Sequence, residues 1–182
     1  LLDEPISFKF KNKVWTPENY ERKFLGRVTL RYALSHSINV ATINLIAQIG
    51  IRETKKYARL LGITSYLPDN YTLALGSASV SELEMATAYG TIANYGVRKE
   101  LFAIKMIKGA NGKIYYKHKD NYKRVFKAST GFIMTKLLED VIENGTGRAA
   151  RVLGIPLAGK TGTTNNYKNA WFIGFSPNYL TA

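Results

Sequence analysis

The sequence contains no cysteine, which excludes disulfides, a thiolate nucleophile and any Cys-ligated zinc or iron–sulfur centre from this chain. Histidine is nearly as scarce. His36 and His118 are the only two, so a catalytic triad or poly-His metal site has little to draw on. Acidic residues number 13 against 26 Lys and Arg, giving a formal net charge of +13. No apolar run approaches the roughly 18 residues needed to cross a bilayer, and no signal-peptide pattern opens the chain. What remains is globular: 182 residues, 46% hydrophobic and 21% charged, with no internal repeat and no low-complexity linker. That suits one domain, or part of a larger one, and excludes a disordered or collagen-like chain.

The positive charge is clustered. Ten basic residues and two acids, Glu100 and Asp120, lie between Arg98 and Lys127, so this segment supplies +8 of the +13. Such a patch attracts nucleic acid, anionic lipid or acidic substrates, yet a lysine run is more commonly a solvated face. The spacing favours the solvated face. Phe102, Ile104 and Met106 alternate with polar neighbours, Asn111-Gly112 spells a type I′ hairpin turn, and Ile114-Tyr115-Tyr116 follow. Lysines outside such a ribbon keep its edge from pairing with other chains. No recognition helix, zinc finger or aromatic–basic stacking motif accompanies the charge, so no nucleic-acid partner is expected.

Residues 1–28, punctuated by Pro5, Pro17 and Gly26, read as an irregular segment wrapped on something larger. Thr29 caps a helix starting at Leu30, with Leu30, Ala33 and Leu34 on one face. The polar break Ser35-His36-Ser37-Ile38-Asn39 interrupts it. A second helix over about 40–48 buries Val40, Ile43, Leu45, Ile46 and Ile49 and stops at Gly50; a third covers about 52–61. Ser81-Glu-Leu-Glu84 is a capping box leading into Leu83, Met85, Ala86, Ala88, Tyr89 and Ile92. Ser129 or Thr130 opens a helix carrying Phe132, Ile133, Leu137, Leu138, Val141 and Ile142, which Asn144-Gly145 closes with a left-handed cap. The end reads as strands over 159–164 and 170–175, with a turn at Asn165-Asn166.

Gly154-Ile-Pro-Leu-Ala-Gly159-Lys160-Thr161 matches the phosphate-binding pattern G-x-x-x-x-G-K-[ST] letter for letter. That pattern cradles phosphate only where a buried strand enters the loop and a helix begins at the Lys-Thr. Here the poor helix formers Gly162-Thr-Thr-Asn-Asn-Tyr167 follow, and the charged Arg148-Ala-Ala-Arg151 precedes. No apolar run ends in an aspartate placed to hold magnesium. The alternative is Lys160-Thr161-Gly162-Thr163 as a unit on an edge strand. A Lys-Thr-Gly triplet belongs to the motif set of serine β-lactamases and penicillin-binding proteins. A lysine there biases proton transfer and attracts a substrate carboxylate, which the hydroxyls of Thr161 and Thr163 can bind. Gly162 lets a substrate backbone lie against the strand, and strand N–H groups can form one arm of an oxyanion hole.

A Ser-x-Asn triplet should face that strand, and Ser37-Ile38-Asn39 is available. Ser176-Pro177-Asn178 matches too, but it follows a strand and contains Pro, as a turn does. Ser37 or Asn39 also qualifies as a plain cap of the helix at Val40. Taken with Gly26-Arg-Val-Thr-Leu-Arg-Tyr-Ala-Leu, Leu73-Ala-Leu-Gly76 through Tyr89, Gly145-Thr-Gly147-Arg-Ala-Ala and Ala170-Trp-Phe172, in that order, the sequence resembles the transpeptidase domain of class A (bifunctional) penicillin-binding proteins.

The resemblance implies an α+β fold, an antiparallel sheet flanked by helices, with residues 1–182 one partial transpeptidase domain without internal boundary. It implies that Ser37 relays a proton, Asn39 bonds the acyl-donor backbone and Lys160 tunes Ser37. Thr161, Gly162 and Thr163 would bind the end of a stem peptide terminating in D-Ala-D-Ala, or a β-lactam, with the Thr163 N–H in the oxyanion hole. His36 reads as an ordinary helix-end residue. Where the family has Asp before Ala-Trp-Phe, this chain has Asn169. No metal or cofactor is implied. The implied partners are peptidoglycan stem peptides, β-lactam antibiotics and an upstream glycosyltransferase domain of the same polypeptide. The implied location is the extracytoplasmic face of the bacterial cytoplasmic membrane, with the anchor outside this sequence.

One motif is missing. No serine or threonine has a lysine three residues on, so the Ser-x-x-Lys nucleophile is absent from this chain. The expectation is a domain cut at both ends, inactive alone and active when complete. The alternative is a catalytically inactive binding or regulatory module of the same fold.

Overall fold

The first helical elements follow from their caps. In the computed structural model, which describes residues 1–10, 13–163 and 170–182, Thr29 opens α1 (Leu30–Ser35) by accepting the Tyr32 N–H at 3.1 Å. Helix α2 (Asn39–Ile49) runs into Gly50 and α3 (Ile51–Leu61) into the left-handed Gly62. The segment before α1 is more ordered than its composition suggests. It contains β1 (Leu2–Asp3), β2 (Phe8–Phe10), β3 (Lys13–Trp15) and β4 (Gly26–Arg27), paired β1 with β4 and β2 with β3. Strands of two or three residues carry almost no periodicity, so the sequence does not announce them.

Helix α4 (Glu82–Ala93) starts at the predicted capping box. Its Glu84 carboxylate also accepts the N–H and hydroxyl of Thr64 (2.6 and 2.7 Å) and of Ser65 (both 2.7 Å). One capping residue therefore latches the loop after α3. That loop buries Ile63 and Leu67 against Ala88 of α4.

The basic segment forms β5 (Val97–Lys99), β6 (Met106–Lys108), β7 (Ile114–Lys117) and β8 (Tyr122–Arg124), with β5 pairing β8 and β6 pairing β7. The hairpin is where the sequence puts it, but the turn type differs. A type I′ turn needs positive φ at both central residues. Only Gly112 takes it, at φ +82°, with its N–H bonded to the Gly109 carbonyl at 2.9 Å.

Helix α5 (Ala128–Glu143) begins two to three residues earlier than expected, with Lys127 before it and no side-chain cap, so Ser129 and Thr130 lie inside its first turn. Its buried stripe is Gly131, Leu137, Leu138, Val141 and Ile142, while Phe132 and Ile133 face outward. Of the residues expected to be buried in α2, Ile49 is exposed and Leu45 half-buried. Apolar identity alone did not fix which side of each helix meets the core.

Strands β9 (Ala158–Thr163), β10 (Ala170–Phe175) and β11 (Leu180–Thr181) form an antiparallel sheet in the order β11-β10-β9. Lys160 and Thr161 thus sit on a strand, which removes the helix a phosphate-binding loop would need. The register sets Phe175 opposite Ala158 and Ile173 opposite Lys160. Helix α5 packs on β9 and α4 on β10 and β11, closing a core of Ile92, Leu138, Ala158 and Phe175. Ser176 turns the chain after β10, its hydroxyl accepting the Tyr179 N–H at 3.1 Å, so the second Ser-x-Asn triplet is a turn. Asn169 and the Asn165-Asn166 turn lie outside the described residues. Among the described residues no helix is long and apolar enough to cross a membrane.

The Ser65 hydroxyl, then the Ser81 backbone and Thr64, hold the Glu84 carboxyl well below the usual carboxylate range. A depressed folded-state value stabilises above the ordinary carboxylate pKa and loses that stability as pH falls. Glu84→Gln is expected to unfold at lower temperature than the parent chain at pH 7, with the gap narrowing steadily below the ordinary glutamate pKa of about 4.3. Thermal melts across pH check this.

Candidate active site

The junction between α1 and α2 is three residues long, His36 to Ile38, and builds the site. Helix α1 ends in a Schellman closure: the Ile38 N–H donates to the Ala33 carbonyl at 2.9 Å and the Ser37 N–H to Leu34 at 3.3 Å. That closure needs a left-handed residue at position 37, usually glycine, and Ser37 occupies it at φ +55°. For an L-residue this conformation costs about 1–2 kcal/mol. Ser37 is exposed, and its hydroxyl faces β9.

Lys160 arrives from β9. Its Nζ donates to Ser37 Oγ at 2.5 Å and to the Thr161 carbonyl at 2.9 Å. Two residues 123 positions apart in sequence thus meet at hydrogen-bond distance. Lys160 is half-buried, and desolvation pushes its ammonium below the ordinary lysine value.

The floor comes from the chain after α5. Thr146 donates its N–H to the fully buried Ser35 carbonyl at 3.0 Å, and its hydroxyl lies 2.5 Å from that of Thr161. The expected left-handed cap at 144–145 is not formed: Asn144 has φ −125°, and Gly145 is not among the positive-φ glycines. Gly145 is needed for space instead. A Cβ there would stand 2.1 Å from the Ser35 carbonyl oxygen, so only glycine lets α5 end against α1. Thr146 escaped the sequence reading, although its flanking glycines were a visible signal.

Neither Ser37 nor Asn39 caps α2. Ile38 is its N-cap and makes no side-chain bond. The Val40 N–H is accepted by Asn19 Oδ1 at 3.1 Å, and Asn39 donates Nδ2 to the Glu18 carbonyl at 3.1 Å. Asn39 is half-buried beside the exposed Ser37. Gly162 and Thr163 continue β9 into solvent, opposite Trp171 and Ala170. His36 ends α1, stacked on Tyr32 with ring centroids 4.0 Å apart, as a helix-end residue does. Among the described residues no cluster of His, Cys, Asp and Glu is placed to hold a metal.

Ser37→Gly is expected to melt above Ser37→Ala by about 1 kcal/mol, because only glycine relieves the left-handed backbone. Gly145→Ala is expected to lose about 1–3 kcal/mol through the collision with Ser35. Urea titrations of the three variants check both.

Comparison with known proteins bears on the family and the fold. Residues 5–180 match the penicillin binding protein transpeptidase domain. Penicillin-binding protein 1A of Aquifex aeolicus is 39% identical over 171 residues, 94% of this chain and 23% of that protein. Penicillin-binding protein 1A of Neisseria lactamica is 37% identical over 100% of this chain and 24% of its own length. The chain therefore spans about a quarter of the curated relatives it matches. The crystal structure of penicillin-binding protein 1A from Haemophilus influenzae superposes with a TM-score of 0.89 at 28% identity, covering 96% of this chain and 32% of that one. That of the D,D-transpeptidase domain of a peptidoglycan glycosyltransferase from Eggerthella lenta gives 0.80 at 24% identity, over 97% of this chain and 51% of that one, a likeness of fold. The three-stranded sheet and the helices packed on it are thus a family fold: the chain belongs to the penicillin-binding protein transpeptidase domain family.

Proposed function

We propose that this chain is part of a peptidoglycan D,D-transpeptidase that works through a serine acyl-enzyme, is acylated by β-lactams and lies on the extracytoplasmic face of the bacterial membrane. The observation that carries the reading is the 2.5 Å contact between Lys160 Nζ and Ser37 Oγ, inside a chain of this family. The nucleophilic serine, the anchor and a glycosyltransferase domain are assigned to the rest of the polypeptide, and residues 1–182 to a single partial domain.

In that reading the serine Oγ attacks the carbonyl carbon of the penultimate D-Ala. The peptide bond breaks, and the terminal D-Ala leaves with a proton delivered to its nitrogen. An acceptor amine then attacks the ester and regenerates the serine. Ser37 suits the relay because Lys160 donates to its oxygen, leaving the Ser37 proton to point toward the reacting groups. Asn39 has its amide nitrogen turned to Glu18, so its oxygen serves to accept from the acyl-donor backbone. Thr161 and Thr163 take the substrate carboxylate beside the Lys160 charge. Gly162 admits the substrate backbone to the edge strand, and the Thr163 N–H faces the developing oxyanion.

Labelled penicillin is expected to acylate the intact protein and to leave residues 1–182 alone unlabelled; an unlabelled intact protein would sink the reading in favour of an inactive module. The ammonium form of Lys160 donates to Ser37, so acylation is expected to fall as this group loses its proton, at a pH below the ordinary lysine value. In Lys160→Arg, which stays charged, that alkaline limb should flatten. Stopped-flow acylation against pH reads both.

A further inference from the structure

Asn19 lies in the segment before α1, and nothing in its local sequence marks it. Yet it is 8% exposed, and its whole amide is committed. Its Nδ2 donates to both oxygens of Asp3, at 2.8 and 3.0 Å, and to the Lys23 carbonyl at 2.8 Å. Its Oδ1 accepts the Val40 N–H at 3.1 Å. Asp3 is fully buried and also accepts the Leu25 N–H at 2.9 Å, so the carboxylate is itself anchored. This pairing settles which end of the Asn19 amide faces the helix.

Helix α2 needs that amide. Its first N–H groups have no intrahelical acceptor, and Ile38 at the N-cap has no side-chain oxygen to offer. Asn19 supplies the cap from a distant segment. The neighbouring Glu18 carbonyl holds the Asn39 side chain. Glu18 and Asn19 together therefore grip Asn39 and Val40, while the α1 closure fixes Ser37 from the other side. The two grips adjoin in sequence, the closure on Ser37 and Ile38 and the other on Asn39 and Val40.

We infer that Asn19, oriented by Asp3, is a positioning residue for the acylation chemistry: by holding Val40 at the start of α2 it keeps the adjoining Asn39, and through the short link Ser37, in register with Lys160. The inference rests on the reading of Ser37 and Asn39 as working residues. A cap that stabilised α2 and nothing more would leave the acylation chemistry of the folded enzyme unchanged.

The test uses the intact protein and labelled penicillin. Asn19→Asp keeps the shape and an acceptor for Val40, but it removes the donors and sets a second carboxylate against Asp3. The acylation rate constant is expected to fall about tenfold or more, with the preceding binding step less affected. The exchanged pair, Asp3→Asn with Asn19→Asp, restores an amide–carboxylate contact and should recover most of the loss. Hydrogen exchange in a peptide covering residues 36–42 should quicken in the single variant and not across α5. Should Asn19→Asp fail to fold, Asp3→Asn is expected to show the same loosening and loss. Acylation at the parental rate by the folded single variant overturns the inference. So does an exchanged pair no better than the single variant, with residues 36–42 as protected as in the parent. Ser37→Ala in the same assay separates the two failures: parental acylation by that variant means the site reading itself is wrong.

Discussion

Ser37 holds a backbone conformation that glycine takes freely and serine does not, and much of the site is arranged around keeping it there. The closure of α1 sets the turn, and the buried Ser35 carbonyl, two residues earlier, ties it to the Thr146 N–H. Gly145 lets that tie form by giving up its side chain. Since Thr146 reaches Thr161 of β9, the end of α1, the end of α5 and the edge strand behave as one body. Local strain persists where its surroundings over-determine it, and here the strained residue carries the hydroxyl that meets Lys160.

The sparse acids and the surplus of bases divide the work unevenly. Two of the 13 acidic residues, Asp3 and Glu84, are satisfied largely by neutral N–H and O–H donors. A carboxylate supplied with several such donors needs no cation and locks loops in place. Asp3 thereby orders the segment before α1, and Glu84 the loop after α3. Lys160 is the opposite case: a cation half withdrawn from water, with a hydroxyl and a carbonyl as its described acceptors. Its proton is held less firmly than in solvent. Ten of the other 25 basic residues cluster between Arg98 and Lys127, nearly all of them exposed.

Several elements were legible because their signals are local. The Thr29 and Ser81 caps, the stop at Gly50, the hairpin near Asn111 and the last two long strands each depend on a few adjacent residues. The strand reading of Lys160-Thr161 also held, since the residues after it cannot sustain a helix. Misreadings fell where two segments meet. Gly145 looked like a left-handed cap because Asn-Gly has that habit, yet its lack of a side chain answers to Ser35, 110 positions earlier. Asn39 looked like a cap of α2, but the cap is Asn19.

By itself the sequence determined which chemical groups exist and which motifs they spell: no thiol, two histidines, Ser37-Ile38-Asn39 and Lys160-Thr161-Gly162-Thr163. Those follow from composition and near-neighbour spacing, which a linear reading captures. Only the tertiary structure decided that Lys160 reaches Ser37, that Thr146 forms the floor and that Asp3 and Asn19 brace α2. Each of these is a contact of a few ångströms between residues 15 to 123 positions apart. Hydrogen bonds of that range depend on how helices and sheet pack, and packing is a property of the whole chain.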